Sequence, residues 1–243
     1  MGKRIISQAR GAGGPRYRSP SFRYLGKASH RSWSPANLKG FVKDIVHCAG
    51  HSAPLMAVSY ESGDFGLHFA PEGIKVGDPV SVGLSVPESA VLLPKLGDVR
   101  ALRDIMEGTL IHNIELKPGD GGKLVRASGV FAKIVARTEK EVRIMLPSKK
   151  EKSLSPTCRA SVGMLSGAGR PEKPFLKAGN KFYAMVAKNK MWPNVSGTSM
   201  NSVDHPFGGS SSHAKGIPTQ SARNDPPGRK VGKIAPKRTG RHK

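Results

Sequence analysis

No aspartate or glutamate occurs in residues 1–39, and only Asp204 and Asp225 occur in residues 187–243. Those stretches carry nine and eleven Lys or Arg, so each has a net charge of +9. Residues 40–186 set 20 basic against 15 acidic groups, a net of +5, so most of the +23 excess of the 243-residue chain sits at its ends. Like charge at that density opposes compaction until a polyanion neutralises it. Nucleic acid is the natural polyanion, because its binding releases condensed counterions.

Other scarcities narrow the classes further. Cys48 and Cys158 are the only cysteines and lie far apart, which excludes a secreted scaffold built on disulfides. No run of about 20 apolar residues could span a bilayer, and no basic helix with a clean apolar face could lie on one. No membrane partner is expected. The opening Met1-Gly2-Lys3-Arg4 leads into no apolar signal core. Ile6 stands where a myristoylation pattern wants Ser or Thr. A reducing cytoplasm is the expected setting.

Regular hydrophobic patterning is missing from both ends. Gly11-Ala12-Gly13-Gly14-Pro15 and the Gly-, Pro- and Ser-rich stretch from Pro193 cannot bury enough apolar area to offset their ordering entropy, so in isolation both ends should be disordered. Yet Tyr17, Phe22, Tyr24, Trp33, Trp192 and Phe207 stand among the cations. Aromatics and arginine both stack on unpaired bases, so the ends read as tails that fold on RNA.

The middle reads as short β-strands at 39–47, 55–60, 67–70, 79–82, 108–116, 123–126, 129–137, 141–146 and 160–164, with a further candidate at 181–186. Turn signals separate them, among them Pro71-Glu72-Gly73 and Pro118-Gly119-Asp120-Gly121-Gly122. Residues 98–106 suit a helical turn. The expected class is all-β, two small barrels split near Lys117-Pro118-Gly119.

Three motifs suggest chemistry and fail on spacing. Gly119-Asp120-Gly121-Gly122-Lys123 lacks the phosphate-loop pattern and reads as a tight turn, leaving Lys123 and Arg126 to reach phosphate. His47, Cys48 and His51 are too few for a tetrahedral zinc site. Asp204 and His205, near Ser199, Ser202 and Ser210, lie in a loop without the rigid scaffold or Gly-x-Ser-x-Gly elbow of a hydrolase. No catalytic residue, cofactor or metal is therefore expected. By contrast, Gly167–Pro171 and Phe175–Gly179 interleave glycines with Arg170, Lys173 and Lys177, which suits a loop laid along an RNA backbone.

The longest motif runs Met191-Trp192-Pro193-Asn194-Val195-Ser196-Gly197-Thr198-Ser199-Met200-Asn201-Ser202-Val203-Asp204-His205-Pro206-Phe207-Gly208-Gly209. It resembles the signature of the universal L-two family of large-subunit ribosomal proteins. Gly169–Pro174, Lys177-Ala178-Gly179, Gly121–Leu124, Arg126–Gly129, Ala53-Pro54-Leu55 and Pro71–Ile74 extend the resemblance through nearly the whole chain. Phe207, Gly228–Gly232 and Arg238-Thr239-Gly240-Arg241 resemble the archaeal and eukaryotic branch. Ser202 departs from the usual proline, and Ser196 stands where arginine is common.

The resemblance implies an OB-like barrel over 39–116 and an SH3-like barrel over 117–192, with basic extensions at 1–38 and 193–243. It implies a structural role in the cytoplasmic ribosome, with large-subunit rRNA and neighbouring ribosomal proteins as partners and a link to subunit association and the peptidyl transferase region. No homo-oligomer is expected. The expected RNA contacts are Arg10, Arg16 and Arg18 in the first extension, then Lys123, Arg126, Arg170 and Lys177 on loops. In the last part of the chain they are Trp192, Asn201, His205, Gly208, Gly209, Arg229 and Lys230. A free RNA-binding or chaperone module remains the alternative.

Overall fold

A computed structural model describes residues 2–18, 21–32, 38–83, 94–210 and 219–237. Trp33 and residues 238–243 lie outside them. By their contacts the residues form two units, one of 21–174 and one of 1–20 with 175–243.

Among its described residues the 21–174 unit is a β structure of ten strands. They are β1 Leu38–Val46, β2 Leu55–Tyr60, β3 Phe65–Phe69, β4 Pro79–Val82, β5 Val99–Ala101, β6 Leu110–His112, β7 Ala132–Arg137, β8 Val142–Met145, β9 Glu151–Leu154 and β10 Arg159–Val162. Hydrogen bonding links them in the order β3-β2-β1-β4-β5-β10-β6-β7-β8-β9. All the neighbours run antiparallel except β4 and β5. The all-β class read from the sequence therefore stands.

Local chemistry sets the turns. The β2–β3 hairpin closes through Gly63, whose φ of 82° a side chain would resist, with Tyr60 N–H donating to the Asp64 carbonyl. Between β7 and β8, Thr138 Oγ1 donates to the Glu141 carbonyl at 2.6 Å. In β1 the register slips between Val42 and Asp44, leaving Lys43 as the extra residue of a bulge.

Alternation along the strands fills separate cores. Val42, Met56, Val58, Tyr60, Val80, Val82 and Val99 pack together from β1, β2, β4 and β5. Leu102, Ile105, Ile111, Ile114, Ile134, Val142, Ile144 and Val162 form the larger cluster on β6–β10. A third cluster joins Leu55, Phe69 and Leu165 to Ala28 and Cys48. Each fully buried aliphatic side chain contributes about 1.5–3 kcal/mol. The sequence expectation of disorder concerned an isolated tail; in the folded chain Ala28 and His30 are buried within this unit.

Two strand expectations need correction. Residues 181–186 belong to a helix, Ala178–Ala187, whose half-buried positions Lys181, Ala184, Met185 and Lys188 follow helical spacing. Three alanines within that run favour the helix over the strand suggested by Phe182, Tyr183 and Val186. Residues 123–126 form no strand; Leu124 makes an isolated bridge to Ile114. The helical turn at 98–106 shrinks to Leu102–Asp104, preceded by β5, and β9 had no sequence counterpart.

The unit of 1–20 and 175–243 has little regular structure. It holds the short helix α1, Ile6–Gly11, and the Ala178–Ala187 helix, α2. A parallel pair of two-residue strands, β11 Gln220–Ser221 and β12 Lys233–Ile234, completes it. Among its described residues the core is small: Ile5, Phe207 and Val231.

Candidate nucleic-acid interface

In the 21–174 unit, the glycine-rich turn after Glu115 is built by carboxylates. Asp120 accepts from the N–H groups of Leu116, Lys117 and Gly122. Glu115 is buried and accepts from Gly119 N–H at 3.3 Å and Gly121 N–H at 3.1 Å. It also accepts from Arg159, through the main-chain N–H at 2.9 Å and the guanidinium at 2.8 Å and 3.2 Å. Positive φ at Gly119, Gly121 and Gly122 lets the chain wrap that carboxylate. Lys123 leaves the turn exposed to solvent.

Arg126 is placed differently from Lys123. Its Nη2 donates to the Ala28 carbonyl at 2.8 Å and its Nη1 to the Gly122 carbonyl at 3.2 Å. The guanidinium sits 4.9 Å from the Phe69 ring centroid, and burial lowers its pKa. Its hydrogen bonds therefore tie the 28–30 segment to the turn. Arg170 stays exposed while its Nε donates to Ser128 Oγ at 3.1 Å. Beside it, Gly129 lies so close to Ala168 that a Cβ would overlap the Ala168 backbone.

Arg159 escaped the sequence reading. Its Nη1 donates to the Arg31 carbonyl at 2.9 Å, so one buried guanidinium holds both Glu115 and the 28–32 segment. Glu115 and Arg159 are 44 residues apart, a separation no local spacing rule detects.

The other unit displays the remaining candidates. Arg10 on α1, Arg16 and Arg18 are exposed, and Arg18 Nε donates to the Gly13 carbonyl at 2.6 Å. Asn189 Nδ2 donates to the carbonyls of Pro15 and Arg18, closing this basic loop against the end of α2. Lys177, exposed, is the N-cap of α2. Trp192 is half-buried, with Lys181 Nζ 5.4 Å above its ring. The Trp192–Pro193 peptide is cis.

The Asn201–Gly209 segment is a closed loop. The N–H groups of Asp204 and His205 donate to the Asn201 carbonyl, Gly208 N–H to the His205 carbonyl and Gly209 N–H to the Met200 carbonyl. Gly208 is buried against the Asn201 carbonyl, where a Cβ has no room. His205 Nδ1 accepts from Phe207 N–H at 3.0 Å, so this nitrogen is unprotonated, and burial lowers the ring's pKa. The Asp204 carboxylate faces Lys3 Nζ at 3.6 Å. Lys230 Nζ donates to the Arg223 carbonyl, and Arg229 Nη1 is buried without a hydrogen-bond partner among the described residues.

In chemical terms this is a display of cations and close-approach backbone. Exposed Arg10, Arg16, Arg18, Lys123, Arg170 and Lys177 can meet phosphate. Of the metal candidates, His51 Nδ1 lies 3.2 Å from Cys48 Sγ. Among the described residues no group of three or more His, Cys, Asp or Glu is arranged to hold a metal ion.

Comparison with known proteins adds a family likeness. Residues 95–228 match the family model for Ribosomal Proteins L2, C-terminal domain. The large ribosomal subunit protein uL2 of Methanopyrus kandleri is 47% identical over 245 residues, covering 99% of this chain and 98% of that protein. That of Methanothermobacter thermautotrophicus is 47% identical across 100% of both chains. The Haloarcula marismortui protein is 48% identical, covering 99% of this chain and 98% of its own length.

Proposed function

The chain belongs to the L2 family of ribosomal proteins, and from that premise we propose that it is a structural constituent of the large ribosomal subunit in the cytoplasm, built to bind large-subunit rRNA. The observation that carries the reading is end-to-end similarity to relatives named as large-subunit proteins, in a chain of net charge +23. In this reading, residues 39–116 and 117–192 serve as OB-like and SH3-like RNA-binding barrels. Of the stretches 1–38 and 193–243, the parts outside the β unit enter the rRNA, supporting assembly, subunit association and the peptidyl transferase region, with neighbouring ribosomal proteins as further partners.

Binding works mostly through charge and shape. Exposed lysines and arginines fix the protein on phosphates without reading sequence. Selectivity for one folded RNA comes from stacking and from backbone that approaches closely at glycines. Gly209, which is exposed, serves that second purpose, while Gly208, buried against the Asn201 carbonyl, closes the loop with Asn201 and His205. His205 acts as a ligand of RNA structure, and the chain is not an enzyme; the Asp204 carboxylate pairs with Lys3.

Sucrose-gradient sedimentation of a cell lysate tests this. The protein should travel with the large subunit at low and moderate salt. Its absence from that fraction would overturn the reading in favour of a free RNA-binding module.

A further inference from the structure

The open face of β1–β3 carries a row of residues that the cation inventory leaves unexplained. Cross-strand register places Phe41 of β1 opposite Ser59 of β2, and Ser59 opposite Phe65 of β3. Directly opposed residues of antiparallel strands point to the same side. Val42 and Val58 fill the core on the other side, so this row faces outward. Phe41 is 52% exposed and Phe65 61% exposed.

Two large aromatics in one registered row with a small residue between them form a trough. Its width is two strand spacings, about 9.5 Å. That is close to three stacking steps of about 3.4 Å, enough for two stacked bases between the rings. Beside Phe65 a groove of about 1180 Å³ opens, lined by Leu25, Lys27, Arg31, Lys43, Ala57 and Leu67 among others. Lys39 and Lys43 flank Phe41 along β1, and both are exposed.

Carboxylates stand here too. Asp64 pairs with Arg31, Asp44 Oδ1 accepts from Ile45 N–H, and Glu61 is exposed at the end of β2. A surface for duplex phosphates would exclude them. A surface for bases can use them, because carboxylates accept hydrogen bonds from base amino groups.

We propose that the open face of β1–β3 is a stacking platform for an unpaired RNA segment of about two nucleotides, held on Phe41 and Phe65, with Lys27, Lys39 and Lys43 on its phosphates. The proposal rests on the RNA-binding reading and specifies the form of RNA taken at this face.

The test uses the full-length protein with a fluorescent, unstructured single-stranded RNA and a duplex RNA of equal length, followed by anisotropy. The paired change Phe41→Ser and Phe65→Ser should weaken single-strand binding roughly 5- to 100-fold. Duplex affinity and salt dependence should stay as in the wild type. Phe41→Trp with Phe65→Trp should hold or tighten single-strand binding, which keeps the test decisive if the serine variant melts early. Unchanged single-strand affinity in both variants overturns the platform, as does an equal loss on both probes. Self-association that the serine variant abolishes would assign the face to a second copy, and likewise overturn it. A wild-type protein that binds neither probe overturns the RNA-binding reading itself.

Discussion

Glu115 and Arg159 show how much one buried pair can organise. The carboxylate accepts from Gly119, Gly121 and Arg159, while Arg159 reaches on to the Arg31 carbonyl. Glu115→Gln keeps the shape but strands the guanidinium's charge in a dry site. It should cost about 3–5 kcal/mol in urea unfolding. Asp64→Asn breaks the half-exposed pair with Arg31 and should cost about 1 kcal/mol or less. Equal effects from the two changes would contradict this ranking. A second residue-scale prediction concerns three buried histidines. His30 Nε2 meets the Asn113 carbonyl, His68 Nε2 the Tyr60 hydroxyl and His112 Nδ1 the Gly163 carbonyl. Burial lowers all three pKa values, those of His68 and His112 to about 4, with the neighbouring histidines and Arg159 lowering those of His30 and His68 further. The unfolded chain then binds more protons than the folded one below about pH 6.5. The stability these neutral rings contribute is complete above that value and is lost as pH falls towards 4. At pH 5 the loss should be about 2 kcal/mol for each of His68 and His112. Urea midpoints that stay level between pH 7 and 5 would contradict it.

Among the elements, Gly129 and the 21–32 segment make the sharpest claims. Gly129 has a φ of 70°, and a Cβ there would overlap Ala168. Gly129→Ala should therefore cost about 1–3 kcal/mol, whereas Gly169→Ala, with open space around it, should be near neutral in the same thermal melts. The 21–32 segment covers Leu55 and Phe69 with Ala28 and supplies carbonyls to Arg126 and Arg159. A chain starting at Ser21 should keep a cooperative β unfolding transition. One starting at Leu38 should lose more than about 3 kcal/mol, because buried Arg159 and half-buried Arg126 both lose acceptors. Equal melting of both truncations would show the segment to be a detachable tail. Legibility in the sequence followed the same physics. β1, β2, β4, β7 and β8 were readable because alternation and turn residues are local. β9, Glu151–Leu154, was not, since Glu151-Lys152-Ser153-Leu154 offers one apolar residue and takes its place through pairing with β8. In α2, aromatic and β-branched residues mimic a strand, and against them stand the three alanines and the helical spacing of the half-buried positions. At the interface, exposed cations could be inferred from charge alone. The structural duty of Arg126 could not, because its acceptor at Ala28 lies 98 residues away.

At the scale of the whole molecule, +23 is spread over surfaces of different kinds, and salt dependence can separate them. Each phosphate contact that an RNA displaces from its counterions steepens the fall of log affinity with log salt by about 0.7 to 0.9. Arg10, Arg16 and Lys123 are exposed and form no side-chain hydrogen bond or ion pair among the described residues, so their neutralisation should act on the slope alone. Replacing them one at a time with Gln should flatten the slope by about 0.7 to 0.9 for each true contact, with urea stability held within about 0.5 kcal/mol. Arg126→Gln should behave in the opposite way, lowering stability through its two lost carbonyl bonds and its contact with Phe69 while leaving the slope of the folded fraction nearly unchanged. Phe41 and Phe65 form a third class, in which affinity for unpaired RNA falls but neither slope nor stability moves. A protein that held RNA by undirected charge alone would give every basic position the same slope change and no aromatic position any effect. Titrations at four or five salt concentrations distinguish that polycation from a surface with assigned parts.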